Sequence, residues 1–252
     1  MMRALFTAAS GMIIQERRQV NIANNLSNAN TPGFKIQDLI TKEKEKVMIQ
    51  NREHTNRQVY MKNLGALSLG AEIDDLAIDF EQGTLQDTDR DLDFALEGEG
   101  FFKIQWNDTQ VGYTRNGQFK LDQEGYLITQ EGKRVLGQGN EYIMIDERKV
   151  SVGKDGTIFL DEDDEYQFDI VTLNTVDNLK VIGSGIYLVD NAEEVPAENT
   201  RVYQKKLENS NINPLDEMVK MIEVSRTFES NQKVLQAIDQ MMEKSANSVG
   251  RV

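Results

Sequence analysis

The C-terminal segment carries apolar residues that repeat every seven positions, and this pattern constrains the fold more than any other feature of the sequence. One set of repeat positions is Met221, Phe228, Leu235, Met242 and Val249, and the second is Val224, Asn231, Ile238 and Ser245. Two such sets, offset by three or four residues, form one stripe along a single helix. Asn213 and Pro214, followed by two acidic residues, are typical of a helix start. The pattern predicts a long C-terminal helix with a helical partner.

The N-terminal segment is the nearest candidate for that partner. Residues 3–28 predict a helix because small and aliphatic side chains recur three, four and seven positions apart. The residues of this face are Phe6, Ala9, Ile13, Val20, Ala23 and Ser27. Pro32 and Gly33 end the helix. We expect the N-terminal helix, within residues 1–34, and the C-terminal helix, within residues 207–252, to pair as a coiled-coil-like segment.

Between the two helices the apolar period changes to two. Residues 71–206 contain alternating runs, separated by turn dipeptides such as Asn116-Gly117 and Asp155-Gly156. This predicts an all-β domain of short antiparallel strands, barrel-like or sandwich-like. Residues 35–70 are predicted to form a linker or extended connector, because the polar stretch at 41–63 carries too little apolar surface to pack on its own. The predicted fold class is therefore α+β.

The formal net charge of −14 is unevenly distributed along the chain. Residues 1–34 carry three arginines and one glutamate, and residues 214–252 carry five basic and six acidic side chains. The ends are therefore nearly neutral, whereas the middle is strongly acidic. An acidic chain repels nucleic-acid phosphates and anionic lipid headgroups, so we expect no nucleic-acid partner. No apolar run approaches the roughly 20 residues that span a bilayer, which predicts no direct membrane insertion.

Candidates for catalysis or metal binding are few. The chain has no cysteine and one histidine, His54, far in sequence from any second catalytic group. The aspartates at 87, 89, 91 and 93 alternate, but Leu92 and Gly98 stand where an EF-hand loop requires glycine and glutamate. The acidic run at 161–165 offers the same weak calcium hypothesis. The sequence predicts no enzyme and no cofactor, with a calcium- or glycan-binding β module and a β-domain hydrolase as the rival interpretations.

Two distant stretches resemble the flagellar rod and hook protein family. The N-terminal motif of that family is similar to RALFTAASGM at 3–12 and IANNLSNANTPGFK at 22–35. Its C-terminal motif is similar to NSNINPLDEMVKMIE at 209–223. The stretches FEQGTL at 80–85, LDFALEGEGFF at 92–102 and YTRNGQF at 113–119 resemble the start of its β domain. The resemblance covers essentially the whole chain except the connector.

The resemblance implies a structural subunit of the bacterial flagellar basal-body rod that self-assembles axially through its terminal helices. A hook or hook-like axial subunit is the alternative, although the chain length favours the rod. The implied partners are copies of the chain itself, other rod and hook proteins and the flagellar type III export apparatus. The implied location is the basal body, outside the cytoplasmic membrane.

The expected assembly positions lie on the two terminal helices. The resemblance implies that residues 23–28 belong to the motif associated with assembly and export. In the first helix the positions are Phe6, Ala9, Ile13, Val20, Ala23, Asn24, Asn25 and Leu26. In the second helix they are Met221, Val224, Phe228, Leu235, Ile238 and Met242.

Overall fold

The computed structural model describes residues 2–55, 58–107, 109–146, 148–160, 164–173, 179–183, 185–189, 193–197 and 199–249 of the 252-residue chain. The side chains of His54 and Val249, and residues 161–163, lie outside this description. The chain forms two compact units. The helical unit comprises Met1–Leu26, Gln37–Asp79 and Asn213–Val252, and the β unit comprises Ser27–Ile36 and Phe80–Ile212.

The helical unit contains the two long helices and four strands. Its elements are α1 (Met2–Ser27), β1 (Gln37–Glu43), β2 (Lys46–Thr55), β3 (Gln58–Ser68), β4 (Ala71–Ile78) and α2 (Pro214–Val249). Strands β1 and β4 pair antiparallel, with Gln37 opposite Ile78. Strands β2 and β3 form a second antiparallel pair that starts with Lys46 opposite Ser68. The β2–β3 pair lies between β1 and β4 in the sequence, and the last residue of β4 lies opposite the first residue of β1.

Most of the predicted connector at 35–70 belongs to the helical unit, which includes the chain from Gln37 onward. This segment is extended, which was one of the two predicted forms, but it is also hydrogen-bonded in the strands β1, β2 and β3. Strand pairing satisfies backbone N–H and C=O groups whatever the side chains are, so a polar composition does not prevent it. The unit boundaries also differ from the predicted ones, because β4 groups with the helices and Ser27–Ile36 groups with the β unit.

The start of α2 follows the predicted cap. The Leu215 N–H donates to Oδ1 of Asn213 at 3.1 Å, and the Glu217 N–H donates to the Asn213 carbonyl at 3.1 Å. Pro214 is the first helical residue, where a missing N–H costs nothing. Asp216 and Glu217 place negative charge at the positive end of the helix dipole.

The described residues of the β unit form fifteen short strands. They are β5 (Leu85–Asp87), β6 (Phe94–Glu97), β7 (Phe101–Gln105), β8 (Val111–Thr114), β9 (Lys120–Leu121), β10 (Leu127–Ile128), β11 (Val150–Val152), β12 (Thr157–Leu160), β13 (Asp164–Gln167), β14 (Ile170–Leu173), β15 (Lys180–Ile182), β16 (Ile186–Leu188), β17 (Glu194–Pro196), β18 (Arg201–Gln204) and β19 (Lys206–Glu208). The largest sheet has the order β15-β16-β8-β7-β14-β17.

This architecture confirms the α+β class, with two long helices and an antiparallel β-rich centre. The barrel alternative is wrong, because the six-stranded sheet of the described residues ends at β15 and β17 and does not close on itself. Short strands separated by many turns give several small sheets, and closure would require each edge to find a partner.

Aromatic side chains fill the centre of the β unit. Phe94, Phe102, Phe119 and Phe168 are each at most 4% exposed and contact one another, with ring centroids 5.2–6.4 Å apart. Gly117 is required beside them because a Cβ atom there would lie only 1.8 Å from the carbonyl oxygen of Phe94. The turn at Asn116-Gly117 therefore uses glycine for close approach, and not for the positive φ that the dipeptide suggested.

Candidate interaction surface of the terminal helices

The apolar face predicted on α1 is largely exposed in the single chain. Phe6 is 60% exposed, Ile13 56% and Val20 60%. Ala23 and Asn24 are also exposed, whereas Ala9 and Leu26 are half-buried. We call Phe6, Ile13 and Val20 the α1 stripe. Their spacing of seven residues places them on one side of the helix, where the described part of the chain leaves more than half of each side chain accessible.

The opposite side of α1 is the one that packs within the helical unit. Ala8, Ile14, Ile22 and Asn25 are each at most 9% exposed. Gly11 lies on this side, and a Cβ atom there would lie 3.1 Å from Nδ2 of Asn231 in α2. Glycine therefore lets the two helices approach closely at this level. The contacts of Gly11 with Asn231 and of Asn25 with Glu217 show that α1 and α2 run antiparallel.

The heptad positions of α2 form the less exposed side of that helix. Val224 is buried, and the other predicted positions are half-buried: Met221, Phe228, Leu235, Ile238 and Met242. Most remaining positions from Val219 onward are exposed. The heptad pattern therefore marks the inward side of α2, toward α1. A role of these residues in assembly stays a prediction.

A second apolar stripe on α2 was not predicted. Leu215, Met218, Val219 and Ile222 are between 50% and 68% exposed. We call these four residues the α2 stripe. Their i, i+3, i+4, i+7 spacing is the usual signature of one helix face, so the sequence contains a signal for it. The heptad stripe on the other side of the same helix obscured that signal.

A buried polar cluster joins α1, β1 and α2. The Asn25 side chain is fully buried; its Nδ2 donates to the Gln37 carbonyl at 2.9 Å and to Oε2 of Glu217 at 3.2 Å. Its Oδ1 accepts the Gln37 N–H at 3.2 Å. Lys220 donates to Oε1 of Glu217 at 2.7 Å, and this hydrogen bond raises the pKa of the Lys220 ammonium group. The Asn25 side chain thus connects α1 with two further elements, β1 and α2.

The TPGFK part of the N-terminal motif belongs to a second buried cluster, inside the β unit. Lys35 donates to Oε1 of Glu208 at 2.6 Å and to the Glu81 carbonyl at 2.6 Å. Arg115 lies 3.4 Å from the other oxygen of Glu208 and donates to the Gly98 carbonyl at 2.8 Å. Burial lowers the pKa of the Arg115 guanidinium, and the Glu208 charge opposes that shift. Glu208 was not predicted from the sequence, because no local pattern identifies a buried counter-ion.

The calcium hypothesis gains no support from the alternating aspartates. Asp87 pairs with Lys206 at 2.8 Å, Asp91 with Lys205 at 2.8 Å and Asp93 with Arg90 at 3.5 Å. Within the described residues, no group of three or more histidine, aspartate or glutamate side chains is placed to hold a metal ion. In the same part of the chain, neither helix is long and apolar enough to cross a membrane.

Comparison with known proteins finds three matching family models. The model described as "Flagella basal body rod protein" matches residues 5–35, and "Flagellar basal body rod FlgEFG protein C-terminal" matches residues 203–249. The model described as "Flagellar hook protein FlgE/F/G D1 domain" matches residues 95–160. The three matched stretches fall in α1, α2 and the β unit.

Whole-chain relatives agree with these models. The flagellar basal-body rod protein FlgG of Borreliella burgdorferi is 35% identical, over 96% of this chain and 97% of its own length. FlgF of Caulobacter vibrioides is 30% identical, over 99% and 98%. FlgG of Bacillus subtilis is 30% identical, over 98% and 99%. The chain therefore belongs to the flagellar basal-body rod proteins, a family of structural components of the flagellar basal body and not a known enzyme family, which assemble with other axial proteins of the flagellum.

Proposed function

We propose that the chain takes its place in the rod by packing the α1 stripe and the α2 stripe against neighbouring axial subunits, copies of itself among them. The observation that carries this proposal is the exposure of Phe6, Ile13 and Val20, each more than half accessible in the single chain. An aligned row of large apolar side chains is unfavourable in water and typical of an interaction surface.

The two stripes face away from each other, which favours an open assembly. Each stripe lies on the side of its helix opposite the contact between α1 and α2, as the helical spacing of the buried residues shows. A subunit with two different surfaces makes head-to-tail contacts that repeat without closing into a dimer. In such an assembly the α1 stripe of one copy packs on the α2 stripe of the next.

The energetics favour addition of subunits at a growing end. Burying the three side chains of the α1 stripe, already partly covered, contributes about 1–1.5 kcal/mol each. The loss of translational and rotational freedom on association costs an estimated 4–15 kcal/mol. One stripe alone is therefore too weak to hold two chains together. A subunit stays bound at the growing end, where neighbours contact both of its stripes at once. Two free chains contact each other through one stripe only and therefore stay apart.

The proposal also includes export through the flagellar type III apparatus, supported by the N-terminal motif at 23–28 and by family membership. Within the motif, Ala23, Asn24 and Ser27 are exposed, whereas Asn25 is buried. Deleting residues 23–28 from the full chain tests this part. We expect the deleted chain to accumulate in the cytoplasm of a motile host, and its undiminished appearance outside the cytoplasmic membrane would contradict export through this motif.

The assembly surface is tested with Ile13→Asp in a host that lacks its own copy of the protein. We expect the purified variant to stay folded, because the side chain is 56% exposed, and to be absent from isolated basal bodies, because a charge enters the stripe. Leu235→Asp, on the inward side of α2, is expected to block incorporation while the β unit stays folded.

Gln240→Asp is the matched control, since it adds the same charge at an exposed polar position of α2. It should be incorporated normally. Normal motility and rod assembly with Ile13→Asp would show that the α1 stripe is not an assembly surface.

A further inference from the structure

Asn25 and Glu217 are buried polar residues in a contact that is otherwise largely apolar. Asn25 is 0% exposed and Glu217 is 1% exposed. Their hydrogen bonds use both polar atoms of Asn25 and both carboxylate oxygens of Glu217. Buried polar groups of this kind rarely increase stability over an apolar pair of similar volume. A well-established use of such a pair is to select one arrangement among several of similar energy.

The helix pair faces such a choice, because the apolar side of α2 repeats every seven residues. Sliding α1 by one heptad exchanges Met221 for Phe228 or Leu235 for Met242 along the inward side of α2. Most apolar contacts are replaced by equivalent ones, so hydrophobic packing distinguishes the registers weakly.

Two contacts define the register that the chain adopts. Gly11 meets Asn231, and Asn25 meets Glu217, so the paired residue numbers sum to 242 in both cases. A slip of seven residues in one direction places Asn25 opposite Val224. A slip in the other direction carries Asn25 past the first residue of α2, which is Pro214. Either slip removes the carboxylate that Asn25 bonds.

We propose that Asn25 and Glu217 are positioning residues that lock the register of α1 against α2 and thereby fix the axial offset between the two exposed stripes. In the observed register Val20 lies level with Ile222. A one-heptad slip displaces the stripes by about 10 Å along the helix axis. Neighbouring subunits, which pack on both stripes in the proposed assembly, would then contact only one of the two. This inference rests on the proposed function for its consequence in assembly, but the register itself is a property of the single chain.

The register can be read with thiol crosslinks, because the natural chain has no cysteine. By the observed register, Ala4 lies level with Ile238, so Ala4→Cys with Ile238→Cys reports the native register. Ala4→Cys with Ser245→Cys reports a slip of seven residues in one direction, and Ala4→Cys with Asn231→Cys reports the other. Each pair is placed in the full-length chain, purified as a monomer and treated with a short bis-thiol reagent.

The test variant is Asn25→Leu combined with Glu217→Leu, which replaces the polar pair by apolar side chains of similar size. We expect helical content to persist and the ratio of slipped to native crosslinks to rise at least about tenfold, equivalent to about 1.4 kcal/mol. Glu217→Gln is the control, because it keeps an acceptor for Asn25 and should keep the native crosslink. We also expect the double variant, without cysteines, to be missing from basal bodies.

The possible results distinguish the register lock formed by Asn25 and Glu217 from the proposed assembly surface. A double variant that forms only the native crosslink overturns the register lock, whatever happens in cells. Slipped crosslinks together with normal incorporation overturn its link to assembly. Failure of the proposed assembly surface appears instead as normal incorporation of Ile13→Asp, which leaves the crosslink pattern of the monomer unchanged.

Discussion

Ile13 and Ile14 are adjacent and chemically identical, yet the structure assigns them opposite roles. Ile13 is 56% exposed in the α1 stripe, and Ile14 is 6% exposed on the packed side of the helix. Substituting each by alanine removes the same atoms from the same helix turn. The pair therefore separates contacts made within the chain from contacts made between chains.

The magnitudes follow from burial. Ile14→Ala removes buried methyl and methylene groups and leaves a cavity, which costs about 2–5 kcal/mol. Ile13→Ala loses little packing, and alanine has the higher helix propensity, so its effect on the monomer should stay within about 0.5 kcal/mol. In the assembly, Ile13 contributes about 1–1.5 kcal/mol if its exposed half becomes buried, so its loss weakens subunit addition roughly tenfold.

Hydrogen exchange of the purified full-length chain measures the monomer effect. Peptides from α1 should lose protection in Ile14→Ala and keep it in Ile13→Ala. Incorporation into basal bodies, measured in a host without its own copy, should fall in Ile13→Ala despite the intact monomer. If Ile13→Ala lowers protection as much as Ile14→Ala does, then Ile13 is packed within the chain and does not belong to an assembly surface.

Three further predictions concern the β unit, whose unfolding can be followed by the fluorescence of the single tryptophan, Trp106, which packs against the core. Glu208→Ala should cost about 3–5 kcal/mol because it removes the buried carboxylate that pairs with both Lys35 and Arg115. Glu97→Ala, at a half-exposed pair, should cost under about 1 kcal/mol, and equal losses would contradict the role of the cluster. Gly33→Ala should cost more than about 1 kcal/mol, measured by urea unfolding, because φ is +69° and a Cβ atom would lie 2.4 Å from the Arg115 carbonyl carbon. Burial would raise the pKa of Glu194, but hydrogen bonds from Lys103 and Tyr113 outweigh it and lower that pKa. The ionised carboxylate therefore stabilises the folded chain above pH 4.5, and this stabilisation is lost as the pH falls through the lower folded pKa. The free energy of unfolding of Glu194→Gln should differ most from that of the natural chain above pH 4.5, and a constant difference down to acid pH would contradict this.

The strongest periodic features were predictable because they depend on local geometry. The cap at Asn213 and the heptad stripe of α2 require only neighbouring residues and helical spacing, and both lie where the sequence placed them. The paired strands within 35–70 were not predictable, because backbone pairing leaves little trace in the polar side chains of β2 and β3.

Periodicity and motifs are local properties of the chain, so they were enough to predict the two helices, the antiparallel β-rich middle and the family. The side of each helix that faces inward depends on contacts between distant segments, so it became visible only in the folded chain. Helix α1 has apolar residues on both sides, Ile13 on one and Ile14 on the other, and a repeat pattern fixes which residues share a face but not which face finds a partner. The same holds for Asn25 and Glu217, which are 192 positions apart and acquire their roles only when α1 and α2 meet.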